Sequence, residues 1–347
     1  MFKKLTERFS NKIGIDLGTA NTLVYLGGYG IVINEPSIIA VNQKTAQIVA
    51  VGHEAKKMWG KTPTHLSIVR PLIEGVVSDF DMTEEMLAYF IRRAEKQSNK
   101  FFRPRVVIGV PSGITNVEMR AVYDAAIDAG AREVFLVEEA MAAAIGVRLP
   151  VLEAKATFMV DIGGGTTDIA LIALGGVVRS LNLRIAGDHF NARIIEYLRD
   201  EFKLLVGEPT AESVKLALGS AIDTEYKEIE VRGRDLVSGL PRALMVTDGD
   251  IREALMQPVA FLVAGIREVL ETAPPEMMSD VLQSGIILAG GGALLPGLAD
   301  LLASELSLPV HIAEDPLSAV ARGTGIILEN FDMYQSVILP LDEHVLI

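Results

Sequence analysis

Apolar residues along this chain follow two alternating rhythms. Short runs of β-branched and aliphatic residues, among them KIGIDL, NTLVYL, VVIGVP, EVFLV and MVDI with its continuation DIALIAL, read as strands. Between them lie stretches with a period of three or four, as in Asp81 to Gln97, where Met82, Met86, Tyr89, Phe90 and Arg93 are so spaced. Helical spacing also covers Thr115 to Ala129, ended by Gly130, then the alanine-rich AMAAAIG, Asp188 to Phe202, and PTAESVKLALGSA. A long pattern, DIREALMQPVAFLVAGIREVLETA, is stopped by Pro274 and Pro275, and LSAVARGTGIILEN is the last helical stretch. Strands VVRSLNLRI and PVHIAE complete an alternation that predicts an α/β layered fold. Gly27 to Pro71 breaks into short apolar pieces around one helix at EAKKMWG, and polar, turn-rich sequence runs from Asp223 to Pro241; each marks a peripheral lobe.

Three strands end in glycine turns. IGIDLGTANTLVYL and VDIGGGTTDIALIAL share one pattern: apolar strand, Asp, apolar residue, Gly, small or hydroxyl residues, apolar strand. A dinucleotide-binding turn or a nucleophile elbow opens a helix, whereas both of these turns run into a strand, so those two classes drop out. The repetition points to two similar halves, each presenting a loop whose backbone N–H groups can approach an anion, phosphate above all. A DxG turn between strands is also an ordinary hairpin. The second copy, and a third glycine turn at Gly290, Gly291 and Gly292, favour phosphate. No GxxxxGK[ST] occurs, which sets aside the P-loop class.

Composition changes this picture only in places. The 347 residues suffice for two hydrophobic cores. With 32 Lys and Arg against 45 Asp and Glu, the formal charge of -13 argues against a nucleic-acid coat. The lack of Cys excludes disulfides, Cys-ligated zinc and thiol nucleophiles, and is compatible with a reducing cytosol. No apolar run reaches the ~18 residues that span a bilayer. MFKKLTERFS nevertheless sets Phe2, Leu5 and Phe9 near one helical face beside Lys3, Lys4 and Arg8, and Phe101 and Phe102 lie between Lys100 and Arg103. Either group packs on its own protein, or enters a membrane surface or a partner with its cationic flanks toward anionic groups.

Within the turns, Asp16 and Asp161 can face a divalent ion, which removes the repulsion between two carboxylates and a polyphosphate. Thr166 and Thr167 can offer hydroxyls to a terminal phosphate or to its attacking water, although threonines in a hairpin are also ordinary strand residues. Glu138 and Glu139 end the VFLV strand at the edge where open-sheet sites lie, suited either to orienting that water or to capping the next helix. His53, His65, His189, His311 and His344 have no metal-ligand spacing, and HExxH, GxSxG and calcium-loop patterns are missing.

With these motifs in this order, the sequence resembles the actin-like ATPases, and among them the bacterial cell-shape branch, over essentially its whole length. IDLGTANTLVY is similar to the family's first phosphate loop, VDIGGGTTDIA to its second and LAGGGALLPGL to its adenosine-side loop; NEPSIIAV, RPLIEGVVSDF, VPSGIT and AMAAAIG strengthen the match. The resemblance implies an α/β, actin-like (ribonuclease H-like) fold of two related domains around a nucleotide cleft. One domain is 1–145 plus 319–347, with a small subdomain inserted at about 34–70; the other is 146–318, with one at about 182–242. It implies ATP or ADP with Mg2+ in that cleft, and Asp16 and Asp161 around the metal through water. Gly18, Thr19, Ala20, Asn21, Gly163, Gly164, Gly165, Thr167 and Gly187 would hold the cofactor with Glu212 and Lys215 on the adenine-side helix and Gly290, Gly291, Gly292 and Ala293 by the nucleoside. Glu139 would act on the attacking water, supported by Thr166. Two departures stand out: Ala140 follows Glu139 where the family has Pro, and the charge pattern of the adenine-side helix is reduced to SVKLALGSA.

The resemblance further implies hydrolysis coupled to end-to-end assembly into paired protofilaments on the cytoplasmic face of the inner membrane. Phe2, Leu5, Phe9, Phe101 and Phe102 would anchor them, membrane proteins of the cell-wall elongation machinery would be partners, and the filaments would organise wall synthesis and rod shape. No nucleic acid is expected. A small-molecule kinase of the same fold and a nucleotide-switched scaffold that does not polymerise are the alternatives.

Overall fold

The computed structural model describes residues 10–98 and 102–340. Strands β1 (Ser10–Leu17), β2 (Asn21–Leu26) and β3 (Gly30–Pro36) form an antiparallel meander. A small sheet follows, built from β4 (Ile39–Asn42), β5 (Ile48–Val51) and β6 (Leu66–Val69), with helix α1 (His53–Met58) between the last two. Its own minor core is Ile38, Ala40 and Ala55. After a short hairpin, β7 (Leu72–Ile73) and β8 (Val76–Val77), comes α2 (Phe80–Glu95), whose cap residue Asp79 accepts a hydrogen bond from the Met82 N–H. Strand β9 (Phe102–Val110) pairs in parallel with β1, helix α3 (Asn116–Asp128) starts at a Thr115/Glu118 capping box, β10 (Glu133–Glu138) pairs in parallel with β9, and α4 (Glu139–Gly146) follows. The sheet order is β3-β2-β1-β9-β10.

The second half repeats that plan. Strands β11 (Thr157–Ile162), β12 (Thr167–Ala173) and β13 (Gly176–Leu183) form another antiparallel meander. Helix α5 (Gly187–Phe202), strand β14 (Leu204–Leu205), helix α6 (Glu208–Leu218) and the hairpin β15 (Glu228–Asp235) and β16 (Pro241–Thr247) build the outer part. Helices α7 (Asp248–Glu271) and α8 (Pro275–Ser284) return the chain to β17 (Ile286–Ala289), which joins β11 in parallel. A 3-10 turn at Gly291–Leu294, helix α9 (Leu298–Leu306), strand β18 (Val310–Ile312) and helix α10 (Ala319–Glu329) close the fold. The order β13-β12-β11-β17-β18 matches the first sheet strand for strand and direction for direction, which is the echo heard in the sequence.

Every residue of β11 and β12 is buried, so these strands read as continuous apolar runs rather than as alternating ones. The alanines of α4 have a related cause: α4 and α10 lie against each other between the sheets. A Cβ on Gly323 would overlap the Ala142 carbonyl oxygen, and one on Gly146 the Ala319 oxygen. Only small residues permit that spacing.

Two elements depart from expectation. The stretch from Asp223 to Pro241, read as a turn-rich lobe, contains strand β15; only Val231 of its eight residues is buried, so no apolar alternation announces it. Pro274 and Pro275 do stop α7, but Pro275 opens α8, where its missing N–H costs no helical bond. Among the described residues no helix is long and apolar enough to cross a membrane.

Candidate functional site

The two glycine turns meet. The β1–β2 turn and the β11–β12 turn approach so closely that a Cβ on Gly164 would stand 2.5 Å from the Ala20 Cβ, and one on Gly165 would stand 2.5 Å from Thr19 Oγ1. Each turn is anchored through its carbonyls. In the first, Ser37 donates its hydroxyl to the Gly18 oxygen (2.5 Å) and its N–H to the Ala20 oxygen (3.0 Å). In the second, the Gly187 and Asp188 N–H groups at the start of α5 donate to the Gly163 and Gly164 oxygens (3.2 and 2.8 Å). The amides of Gly164 and Gly165, and those of Thr19 and Ala20, have no backbone acceptor among the described residues. Adjoining turns whose amides are not spent on backbone carbonyls suit an anion.

Around these turns opens a cavity of about 440 Å³. Its third wall is the turn after β17, where Gly290 (φ 77°) lies against the end of β11: a Cβ there would overlap the Ile162 oxygen and approach Asp161 Oδ1 within 2.5 Å. At the far side Leu216, Leu294, Leu295 and Leu317 give an apolar lining. There Lys215 Nζ donates to Glu212 Oε2 (2.8 Å) and to the Gly187 oxygen (3.0 Å), while Asn191 Nδ2 donates to the same Glu212 oxygen (2.7 Å). Burial would raise the Glu212 carboxyl, but Lys215 and Asn191 outweigh it and hold it below its ordinary value. One end of the cavity thus suits phosphates, and the other a flat, mostly apolar group with polar edges.

Beneath the turns stand four carboxylates. Asp16 and Asp161 occupy equivalent places, each next to last in the inner strand of its sheet. Glu139 begins α4, and Asp168 lies in β12 opposite Asp161. None pairs with a lysine or arginine among the described residues. Burial pushes Asp16 up to about 7 and Asp168 up to about 6. Burial raises Asp161 well above its usual value, with the charges of Asp16 and Asp168 adding to it. Glu139 is raised by burial, then by Asp168, Asp16 and Asp161. A crowd of recessed acids without a cation favours a divalent ion. No group of three or more acids or histidines among the described residues is arranged to hold a metal directly.

The cavity wall includes Asp16, Gly18, Thr19, Ala20, Asn21, Glu139, Asp161, Gly163, Gly164, Gly165, Thr166, Gly187, Glu212, Lys215, Gly290, Gly291 and Gly292. Two expected residues stand behind it, which corrects their assignment. Thr167 is fully buried and spends its hydroxyl on the Ile185 oxygen (2.6 Å), and Ala293 packs in the core of the second half. Glu138 is the residue before α4 but makes no side-chain cap, so the capping alternative does not hold for it. Phe102 is 46% exposed at the start of β9; Phe2, Leu5, Phe9 and Phe101 fall outside the described residues. Sequence reasoning missed Gly75, Asp188, Phe190 and Asn34. Gly75 carries a signal in hindsight: it has φ 77° and its N–H donates to Thr19 Oγ1 (2.9 Å), drawing the segment after β7 over the turns.

Comparison with known proteins agrees with this geometry. Residues 10–336 match the family described as MreB/Mbl protein. The cell shape-determining protein MreB of Escherichia coli (strain K12) is 51% identical over 341 residues, covering 96% of this chain and 98% of its own. Among solved structures, MreB5 of Spiroplasma citri bound to ADP superposes with a TM-score of 0.88 at 36% identity, over 93% of this chain and 98% of that one. A MamK double helical filament gives 0.79 at 26% identity, over 92% and 99%.

Proposed function

The chain belongs to the MreB/Mbl family, and from that membership and the cleft we propose that it binds ATP between its halves, hydrolyses it, and polymerises into filaments that determine cell shape. The observation that carries this reading is the meeting of two topologically equivalent turns, each with tied carbonyls and free amides, above unpaired carboxylates. The turns take the phosphates, and the apolar end with Lys215 and Glu212 takes the base. Mg2+ suits the donor set, with Asp16 and Asp161 reaching it through water; bound there, it would offset phosphate charge. Glu139 orients the attacking water and receives its proton, and Thr166, buried beside the second turn, supports that water.

The finer reading divides the chain into 1–145 plus 319–347 and 146–318, and sets paired filaments on the cytoplasmic face of the inner membrane. Phe101 and Phe102, with Phe2, Leu5 and Phe9, enter the lipid surface, and membrane proteins of the elongation machinery are the partners. Each contact is weak alone and gains strength by repetition along a filament.

The test uses the full chain with ATP and magnesium and no second substrate. Phosphate release together with nucleotide-dependent pelleting, and filaments by electron microscopy, is the expected result. Turnover that requires an added sugar or acid, or soluble protein at every nucleotide state, would refute the reading.

A further inference from the structure

We propose that an open trough along α7, in the second half, is the docking site for a basic amphipathic helix of a partner protein. The trough encloses about 630 Å³ and shares no lining residue with the nucleotide cavity.

The sequence of α7 makes the trough. Ile251, Leu255, Leu262 and Ile266 recur at helical spacing and enter the core of the second half. Beside that stripe runs another apolar one: Met256, Val259, Ala260, Val263 and Ala264 line the trough, with Leu301 of α9 across from them. Met256 is 65% exposed, and Ala260 and Ala264 are exposed as well. A surface helix needs one apolar stripe to fold; a second one left in solvent marks a surface for a partner.

The shape suits a helix. From Gly249 to Arg267 the trough follows α7 for about five turns, or about 27 Å. Ala260 and Ala264, four positions apart, are small enough to let another helix come close, and the flexible Met256 beside them can fit varied side chains. Apolar residues at i, i+3, i+4 and i+7 of a docked helix would then meet Val259, Val263 and Leu301.

Charge selects the sign of the partner. Arg252 and Arg267 line the trough but are already tied. Arg252 pairs with Asp223 (3.0 Å) and Asp248 (3.3 Å). Arg267 donates to the Glu305 carbonyl oxygen (3.1 Å) and lies 3.6 Å from the Glu305 carboxylate. Glu253, which accepts from the neutral Tyr197 hydroxyl (3.0 Å), also lines the trough. Asp223, Asp248, Glu253 and Glu305 against two arginines leave the trough negative, with acids at both ends. Lysines or arginines beside the partner's apolar stripe are therefore favoured, while an acidic helix or an anionic lipid surface is repelled.

The test ligand is a fluorescein-labelled peptide of leucine and lysine, about 14 residues or four turns long, with leucines at i, i+3, i+4 and i+7. A scrambled isomer and a leucine–glutamate version of the same pattern stand beside it. Fluorescence anisotropy is read on the full chain with ADP, below the polymerising concentration. Saturable one-to-one binding of the patterned basic peptide is expected, weakened about tenfold or more by Ala260→Trp, which fills the trough from an exposed position. Ala260→Lys, a smaller change that repels the peptide, should act in the same direction if the tryptophan variant does not fold. Glu253→Lys/Glu305→Lys should weaken the basic peptide by about tenfold and strengthen the leucine–glutamate version. Glu54→Lys, which reverses an exposed acid on α1, should stay within about twofold of wild type. Equal binding of the scrambled isomer, full binding in both Ala260 variants, or the same loss in Glu54→Lys would overturn the proposal. So would an Ala260→Lys protein that keeps its peptide affinity but no longer pellets with nucleotide, because the trough would then be a contact between copies of this chain.

Discussion

Arg70 reaches from one side of the cleft to the other, and its removal should speed nucleotide release. It lies just after β6 in the first half; its guanidinium donates through Nη1 to Glu208 Oε1 (2.9 Å) at the start of α6, and through Nη2 to Asp188 Oδ2 at the start of α5. Trp59 backs it at 5.8 Å from the ring centroid. The side chains of Arg70, Asp188 and Glu208 are 22%, 30% and 32% exposed, so these bonds are neither fully screened nor fully dry. A charged hydrogen bond contributes about 1.5–3 kcal/mol when buried, and an exposed pair under about 1 kcal/mol; together the two contacts come to about 2 kcal/mol. The neighbouring Arg184–Glu74 pair (3.0 Å) is 68% and 45% exposed and compensates little. Because the strap joins the two halves, its loss should fall on the closed state, and 1.36 kcal/mol per decade converts the sum into roughly ten- to thirtyfold. The assay is displacement of fluorescent ADP by excess ADP, with magnesium present and below the polymerising concentration. Arg70→Ala should release ADP that much faster. Glu208→Gln, which lies outside the cavity wall and leaves the Asp188 bond, should show roughly a fivefold effect. Unchanged release in Arg70→Ala, or an equal effect from Glu54→Gln on the exposed Lys57 pair, would refute the strap.

Four other outcomes follow from the same geometry. Gly164→Ala should push the β11–β12 turn from Ala20 and weaken ATP binding by about tenfold or more, read by calorimetric titration; unaltered affinity would deny that the turns act as a pair. Asp161→Asn should lower the magnesium dependence of that affinity, and an unchanged dependence would leave Asp161 a turn residue only. Thr167→Val should cost about 1–2 kcal/mol in denaturant unfolding by stranding the Ile185 oxygen, with the hydrolysis rate kept; a lost rate and unchanged stability would return Thr167 to the site. Removing the first nine residues in Phe101→Ser/Phe102→Ser should sharply reduce co-sedimentation with anionic liposomes, and undiminished binding would sink the membrane reading.

What could be read in the sequence was what repeats. Gly163 to Gly165 run into a strand, a local fact that excluded two other glycine-turn classes, and the copy at Asp16 announced the two matching sheets. The place of Glu139 and Lys215 on the cavity wall was legible because each belongs to a motif with neighbours. Asp168 was not: an acid at the start of DIALIAL looks like a sheet-edge residue until the fold brings Ser112 to it from the other half. Arg70 was hidden for the same reason, its partners lying far along the chain. Thr167 was overread, because it opens β12 and spends its hydroxyl on the Ile185 oxygen, while Thr166 stands in the turn before it and lines the cavity. Local pattern identifies residues that act through their own backbone; residues that act across the cleft become visible only with the fold.

The same distinction bears on how nucleotide could control the filament. Each phosphate turn is rigid within its half, tied by Ser37 in one case and by the start of α5 in the other. Neither turn can be adjusted without moving what anchors it. A phosphate held by both therefore sets the distance between the halves, and Arg70, Gly75 and Asp168 are the contacts that feel this distance. On the proposed placement of the nucleotide, loss of the terminal phosphate would remove an anion shared by both turns while leaving the base end, Lys215 and Glu212, occupied. Hydrolysis should then loosen the halves before it frees the nucleotide, so that the ADP state persists in a more open form. The structural consequence is a change of subunit shape within a bound state, which is what a polymer needs if its contacts are to respond to hydrolysis rather than to nucleotide exchange.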